Sequence, residues 1–322
     1  MGAKGFNTND MSKSLTVVMY HYVRDIQNTV FPHLKALSIK GFKNQLKYFK
    51  KHYNFVGIEE IINSVEDPAE SLPPNAIHLT FDDGYVDHYI TVLPLLIENK
   101  VSASFYPSGL PLQEQKVLDV NKIHFLLGKG ISTDIIISEI DNFIKRHKNY
   151  NAFISLDRYY NKLQLDSRYD DKKTIFVKRM LQRELPRMLR KEIVGYLFRK
   201  HITKDETGFS ESLYMSVENL KELESNNCSV GNHTYTHEWL DSLSPKLQKK
   251  EIEDIDYVFK ENRLKSHVGV ISYPYGAYNK DTISTVKNMH YKIGFTVEPK
   301  IALIEQNKIL YLPRYDTNDF PK

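Results

Sequence analysis

The stretch AIHLTFDDGYVDHYITVLPLLIENKVSASFY, residues 76–106, decides the fold class. Residues 76–81 (AIHLTF) are a short apolar run, as expected of a buried strand. The run passes straight into Asp82, Asp83 and Gly84. From about 86 to 100, Ile90, Leu93 and Ile97 recur at helical spacing. Residues 103–106 form another short strand. Strand, helix and strand with such short links make a βαβ unit, so the sheet is expected to be parallel and the fold α/β.

The same alternation extends outward. Upstream, 15–20 (LTVVMY) is a β-branched strand followed by His21 and Tyr22. Residues 41–53 read as a helix with Phe42, Leu46 and Phe49 on one face, and 58–65 as a second helix. Pro73 and Pro74 mark a turn. Downstream, strand signals fade from about 110 to 213 and helical spacing takes over at 131–147 and 172–200. In the second of these, Leu181, Leu185, Leu189, Ile193 and Leu197 repeat every four residues. This region reads as a helical insertion, at about 110–213, in one domain covering 15–322. The α/β rhythm then resumes. Ser216 caps a helix through Leu220 and Leu223, 229–232 is a strand, and Ser244-Pro245 starts a long helix. Strands follow at 268–273, 292–296 and 309–312, with a helix at 280–289.

Composition sets outer limits. A chain of 322 residues allows one large domain or two small ones, and 41% hydrophobic with 26% charged residues is ordinary for a globular core. A formal net charge of +4 is too small to indicate nucleic acid as a partner. The single cysteine, Cys228, cannot form an internal disulfide and reads as a small buried side chain. Residues 1–14 are polar, with no apolar run of the signal-peptide kind. They read as a disordered extension or a cloning remnant, with Met11 as the natural start. No stretch approaches the 18 or so apolar residues that cross a bilayer. A cytoplasmic location is therefore expected.

Ligands of parallel sheets sit beyond the carboxyl ends of the strands, and three polar clusters fall at such ends. In Thr80-Phe81-Asp82-Asp83-Gly84-Tyr85, adjacent carboxylates would face opposite ways on a regular strand. Gly84 permits a sharp turn that brings both to one site; equally, the pair could simply cap a helix. In Gly231-Asn232-His233-Thr234-Tyr235-Thr236-His237, two histidines four apart on one face of a helical turn can share a cation. Two His and one Asp with open positions is the ligand set of a catalytic divalent metal, although His-x-x-x-His also occurs by chance. In Ser272-Tyr273-Pro274-Tyr275-Gly276, a fixed turn can aim a backbone N–H at a reacting oxygen or merely end a strand.

Together these clusters resemble the motifs of the NodB-type polysaccharide deacetylases, carbohydrate esterase family four. Residues 80–85 look like its first motif, TFDDG, and 233–237 match its second, His-(Ser/Thr)-x-x-His. Residues 272–276 are similar to its Arg-x-Pro-Tyr-Gly motif. The resemblance covers about 15–107 and 214–315. The insertion is similar to that of a subgroup linked to bacterial surface-polysaccharide synthesis. The resemblance implies an irregular (β/α)-barrel. It further implies that Asp82 is the catalytic base and that Asp83, His233 and His237 bind a divalent metal. That metal is usually zinc, with cobalt, nickel or manganese serving in some members. The Tyr275 backbone N–H would help hold the tetrahedral oxyanion.

The chain departs from the family in two places. Ser272 stands where an arginine orients the base, and no Leu-x-His motif supplies the acid near the C-terminus. Arg314, after the last expected strand, and His21, after the first, are the candidates to replace them. His78 and His88 read as structural. The Lys/Arg-rich 172–200 reads as a solvated face or as a peripheral contact with an anionic surface, lipid diphosphate or nucleotide diphosphate. Trp239 and the 21 tyrosines offer rings for stacking on a sugar or for the core. The expected function is N-deacetylation of an amino sugar in a surface polysaccharide or its carrier-linked precursor. The alternatives are a deformylase or other C–N hydrolase on the same site, or a non-catalytic glycan binder. Adjacent carboxylates on one turn are poorly placed for a two-carboxylate glycosidase, whose carboxyls stand about 5 Å or more apart across the sugar.

Overall fold

Among the described residues the strands are β1 (Ser14–Tyr20), β2 (Asn54–Phe55), β3 (Ala76–Asp83), β4 (Ala103–Pro107), β5 (Ser229–Val230), β6 (Val270–Ser272), β7 (Ile293–Phe295), β8 (Ala302–Leu303) and β9 (Tyr315–Asp316). This computed structural model describes residues 14–27, 29–67, 69–147, 156–163, 170–264 and 269–322. The expected N-terminal extension lies, except for Ser14, outside them.

β3 runs parallel to β1 on one side and to β2 and β4 on the other, and β4 runs parallel to β5. β6 and β7 form a second parallel pair. Single bridges join these pieces: Asn232 with Ile271, and Phe295 with Leu312. Just beyond Leu312, β9 pairs parallel with the end of β1. The described strands thus form a seven-stranded and a two-stranded sheet that single-residue bridges link, a mostly parallel α/β arrangement without the continuous closed barrel that was expected. Among the strands described, only β8 pairs antiparallel, at the start of β1.

All eight residues of β3 are buried, as in a strand covered on both faces. The two-residue period sorts them. Ile77, Leu79 and Phe81, with Val18 and Tyr20 of β1, pack against Phe42, Leu46 and Phe49 of the helix Ile39–His52. Ala76, with Leu15 and Val17 of β1, joins Tyr106, Val270, Phe295 and Leu312 on the other face. His78, Thr80 and Asp82 share that second register, which points three polar side chains into the ring. Cys228 is buried beside the first face, and burial pushes its thiol up to about 11, so it is inert at neutral pH.

Contacts divide the chain into two compact units. One contains the strands; the other is Ile26–Lys35 with Gln115–Ser210. The helical unit has its own core, including Ile123, Ile136, Ile140, Phe176, Leu181 and Leu189. Phe31 belongs to it, edge-on to Phe125 at 4.8 Å, a membership that the sequence pattern did not reveal. The helix expected at 172–200 is broken. Lys172–Arg179 runs into a wide turn at Met180–Glu184, and a new helix starts at Arg187–His201. Leu185, forced out of helical geometry by Pro186, has φ −72° and ψ 152°. Lys173, Lys178 and Lys200 pair with Asp134, Asp170 and Glu139 of the same unit. The strand expected at 309–312 is instead a 3₁₀ turn, Ile309–Tyr311. Pro313 interrupts pairing there, and the chain becomes a strand only at β9. No helix among the described residues is long and apolar enough to cross a membrane.

Candidate metal centre

The carboxyl end of β3 places two aspartates at one site by two different devices. Asp82 points inward by strand register. Asp83, next along, would point to the opposite face, but its backbone turns left-handed at φ 69° and Gly84 follows at φ 72°. A side chain at Gly84 would also sit 2.7 Å from Cβ of Pro107, so both conformation and space demand glycine there.

Asp82 is clamped by Arg314. Nη1 donates to Oδ1 at 2.9 Å and Nη2 to Oδ2 at 2.7 Å, a bidentate pair. The guanidinium is fully buried and its other donors are used: Nε reaches the Thr296 carbonyl, Nη1 also Thr80 Oγ1, and Nη2 also Ser272 Oγ. Burial by itself would raise the Asp82 carboxyl; Arg314 and then His233 outweigh it and hold it down at about 2. Ser272, the residue that breaks the third motif, therefore contacts the arginine that arrives from elsewhere in the chain.

Asp83, His233 and His237 converge, all buried, with one ligand atom of each lying within 4.8 Å of the others. Asp83 Oδ1 is 3.4 Å from His233 Nε2 and 3.3 Å from His237 Nε2, too far for good hydrogen bonds. The His233 Nδ1–H donates to the Ser272 carbonyl at 2.7 Å, which leaves the Nε2 lone pair facing Asp83. Two imidazole nitrogens and a carboxylate oxygen around a gap suit a borderline divalent cation, and so these residues fit a metal. Burial opposes charge on Asp83, yet His237 and His233 hold its carboxyl well below the usual range.

The histidine segment is not the helical turn expected. It is an irregular loop in which Thr234 (φ 60°) and His237 (φ 59°) are both left-handed. The rings still stand 4.8 Å apart. Side chains fix the loop: Thr234 N–H donates to Asn232 Oδ1, and Thr236 donates through both N–H and Oγ1–H to the Glu251 carboxylate at 2.7 and 2.6 Å. Backbone strain of this kind costs about 1–3 kcal/mol per residue and persists only where the surroundings enforce it.

The remaining predicted residues border the same centre. His21 is half-buried and close enough for its charge to act on Asp82, Asp83 and His237. Tyr275 is left-handed at φ 58° within the turn Pro274–Gly276. Its ring stacks on Trp239 at 4.4 Å and meets His237 edge-on at 4.7 Å. His78 and His88 point elsewhere: His78 bonds the Val56 carbonyl and Ser104, and His88 the His21 carbonyl. Sequence reading passed over Tyr85, whose hydroxyl reaches Asp83, although it stands directly after TFDDG.

Comparisons with known proteins bear on the family and the fold of the chain. The sequence profile of the polysaccharide deacetylase family matches residues 69–124 and 170–294, together more than half of the chain. YxkH of Bacillus subtilis, named provisionally as a polysaccharide deacetylase, is 32% identical over 93 residues, which is 29% of this chain. The match spans only 33% of that relative's length. Among solved structures, the Streptococcus pyogenes deacetylase PplD in complex with acetate superposes with a TM-score of 0.58 at 18% identity, covering 94% of this chain and 92% of that one. The deacetylase domain of BpsB from Bordetella bronchiseptica gives 0.55 at 16%, covering 95% and 97%. IcaB from Ammonifex degensii gives 0.54 at 18%, covering 94% and 91%. At these identities the structural likeness is one of fold. With the profile match, it places this chain in the polysaccharide deacetylase family.

Proposed function

We propose that this protein is a metal-dependent hydrolase that removes the N-acetyl group of an amino sugar in a surface polysaccharide or its carrier-linked precursor. The observation that carries this reading is the buried Asp83–His233–His237 cluster beside an Asp82 clamped by Arg314. A divalent cation held by the three ligands, zinc by preference, would polarise the acyl carbonyl and acidify a water.

The chain supplies the rest. Asp82 takes the proton of the attacking water, and Arg314 keeps that carboxylate ionised and fixed in direction. His21, half-buried and near both aspartates, gives a proton to the departing amine. The Tyr275 N–H stabilises the tetrahedral oxygen. The partly exposed Tyr275–Trp239 stack offers an apolar wall to the sugar ring.

The test is acetate release from a panel of N-acetylated monosaccharides, nucleotide sugars and oligosaccharides by wild type and Asp82→Asn. Release that disappears in the variant is expected. No release from any member by zinc-loaded wild type would contradict the reading.

A further inference from the structure

The two oxygens of Asp83 have different surroundings. Oδ1 faces both imidazoles at 3.4 and 3.3 Å. Oδ2 accepts the hydroxyl of Tyr85 at 2.5 Å. Tyr85 is fully buried and cannot swing away: its ring stacks on Tyr22 at 4.0 Å and packs edge-on to His88 at 5.6 Å. Its backbone is pinned as well, by a bridge to Tyr214. A phenol O–H is a good donor to a carboxylate, and a bond so deeply buried fixes the rotation of the acceptor. Asp83 needs that constraint. Its backbone is left-handed, its carboxylate lies between two imidazoles, and a free rotation would exchange its two oxygens.

We propose that Tyr85 is a positioning residue for the metal site: by occupying Oδ2 it leaves Asp83 to bind the cation through Oδ1 alone. The inference rests on the metal-binding reading above. Tyr85 is fully buried and reaches Asp83 rather than standing among the three ligands, so its effect is felt in metal affinity first and in turnover only through the metal. Loss of a partner of this kind costs roughly 10–100-fold in metal affinity.

The experiment measures zinc affinity by chelator competition for wild type, Tyr85→Phe and Tyr20→Phe, with the thermal midpoint of each metal-free protein alongside. Tyr20 is the matched control: it is as buried as Tyr85, but its hydroxyl bonds Gln45 on the helix side of the sheet. Weakening of about 10–100-fold in Tyr85→Phe, with Tyr20→Phe unchanged, is expected. Wild-type affinity in Tyr85→Phe would overturn the proposal. A crystal structure of zinc-loaded wild type tests it without any variant. Zinc on Oδ1, with Oδ2 still bonded to Tyr85, is expected; zinc on Oδ2 overturns it. Wild type that binds no zinc would remove the underlying metal reading, an outcome distinct from equal binding by wild type and variant.

Discussion

A fully buried guanidinium is tolerable only where its charge and donors are matched, and Arg314 has a carboxylate, a carbonyl and two hydroxyls around it. Truncation to Ala strands the Asp82 charge in the interior. Arg314→Ala should lose about 3–5 kcal/mol in urea unfolding, and Asp82→Asn in the same chain should recover part of it. Turnover should fall at least about 100-fold, since a displaced base is costly. Lysine should not rescue it, because it cannot form the bidentate pair. A near-wild-type rate in Arg314→Ala would remove Arg314 from the mechanism. His21→Ala should lower kcat by about 100-fold or more while zinc binding is retained. At this scale the motifs were legible because the chemistry needs fixed residue types at fixed spacing. Arg314 was found only by asking which cation ends a strand, for it lies 232 residues from its partner. That Asp83 would be left-handed could not be read, since aspartate fits an extended strand as well.

Elements place these residues, and the turn after β3 does most of that work. Gly84→Ala would meet both a positive φ and Pro107 at 2.7 Å. It should destabilise by about 1–3 kcal/mol and displace Asp83, seen as weaker zinc binding in the folded variant. Wild-type stability and affinity would show that the turn is more tolerant than its geometry implies. β1, β3 and β4 were legible because buried parallel strands are plain apolar runs. The helix pattern over 172–200 misled because Leu181, Leu185 and Leu189 are all core residues although Pro186 breaks the helix between them. Burial preserved the spacing while the backbone did not. The strand expected at 309–312 failed for a related reason: a short apolar run does not tell a 3₁₀ turn from a strand.

At the scale of the whole molecule, acid is the condition that most tests the fold. Burial holds the pKa of His78 and of His88 down to about 4 against an ordinary 6.5, partly offset by their bonds to the Val56 and His21 carbonyls. Below 6.5 the unfolded chain takes up these protons while the folded one does not until about 4. Their stabilisation is therefore complete above 6.5 and lost as pH falls towards 4. At about 1.4 kcal/mol per unit for each group, the urea midpoint of metal-free protein should drop markedly between pH 7 and 4.5. An unchanged midpoint would show that the two rings are protonated in the fold. Asp82, held at about 2, stays ionised in this window, so its stabilisation is present throughout and adds no pH dependence there. The parallel order of the sheet was legible in the sequence, whereas the lone bridges at Asn232 and Leu312 that link its two parts were not, because single-residue contacts leave no periodic trace.

The most direct test of the whole account is the zinc content of purified, metal-reconstituted protein, measured for wild type and for His233→Ala. The geometry of Asp83, His233 and His237 predicts one tightly held equivalent in wild type and its loss in the variant. Wild type without zinc, or a variant that keeps it in full, would contradict the assignment of this cluster as the metal centre.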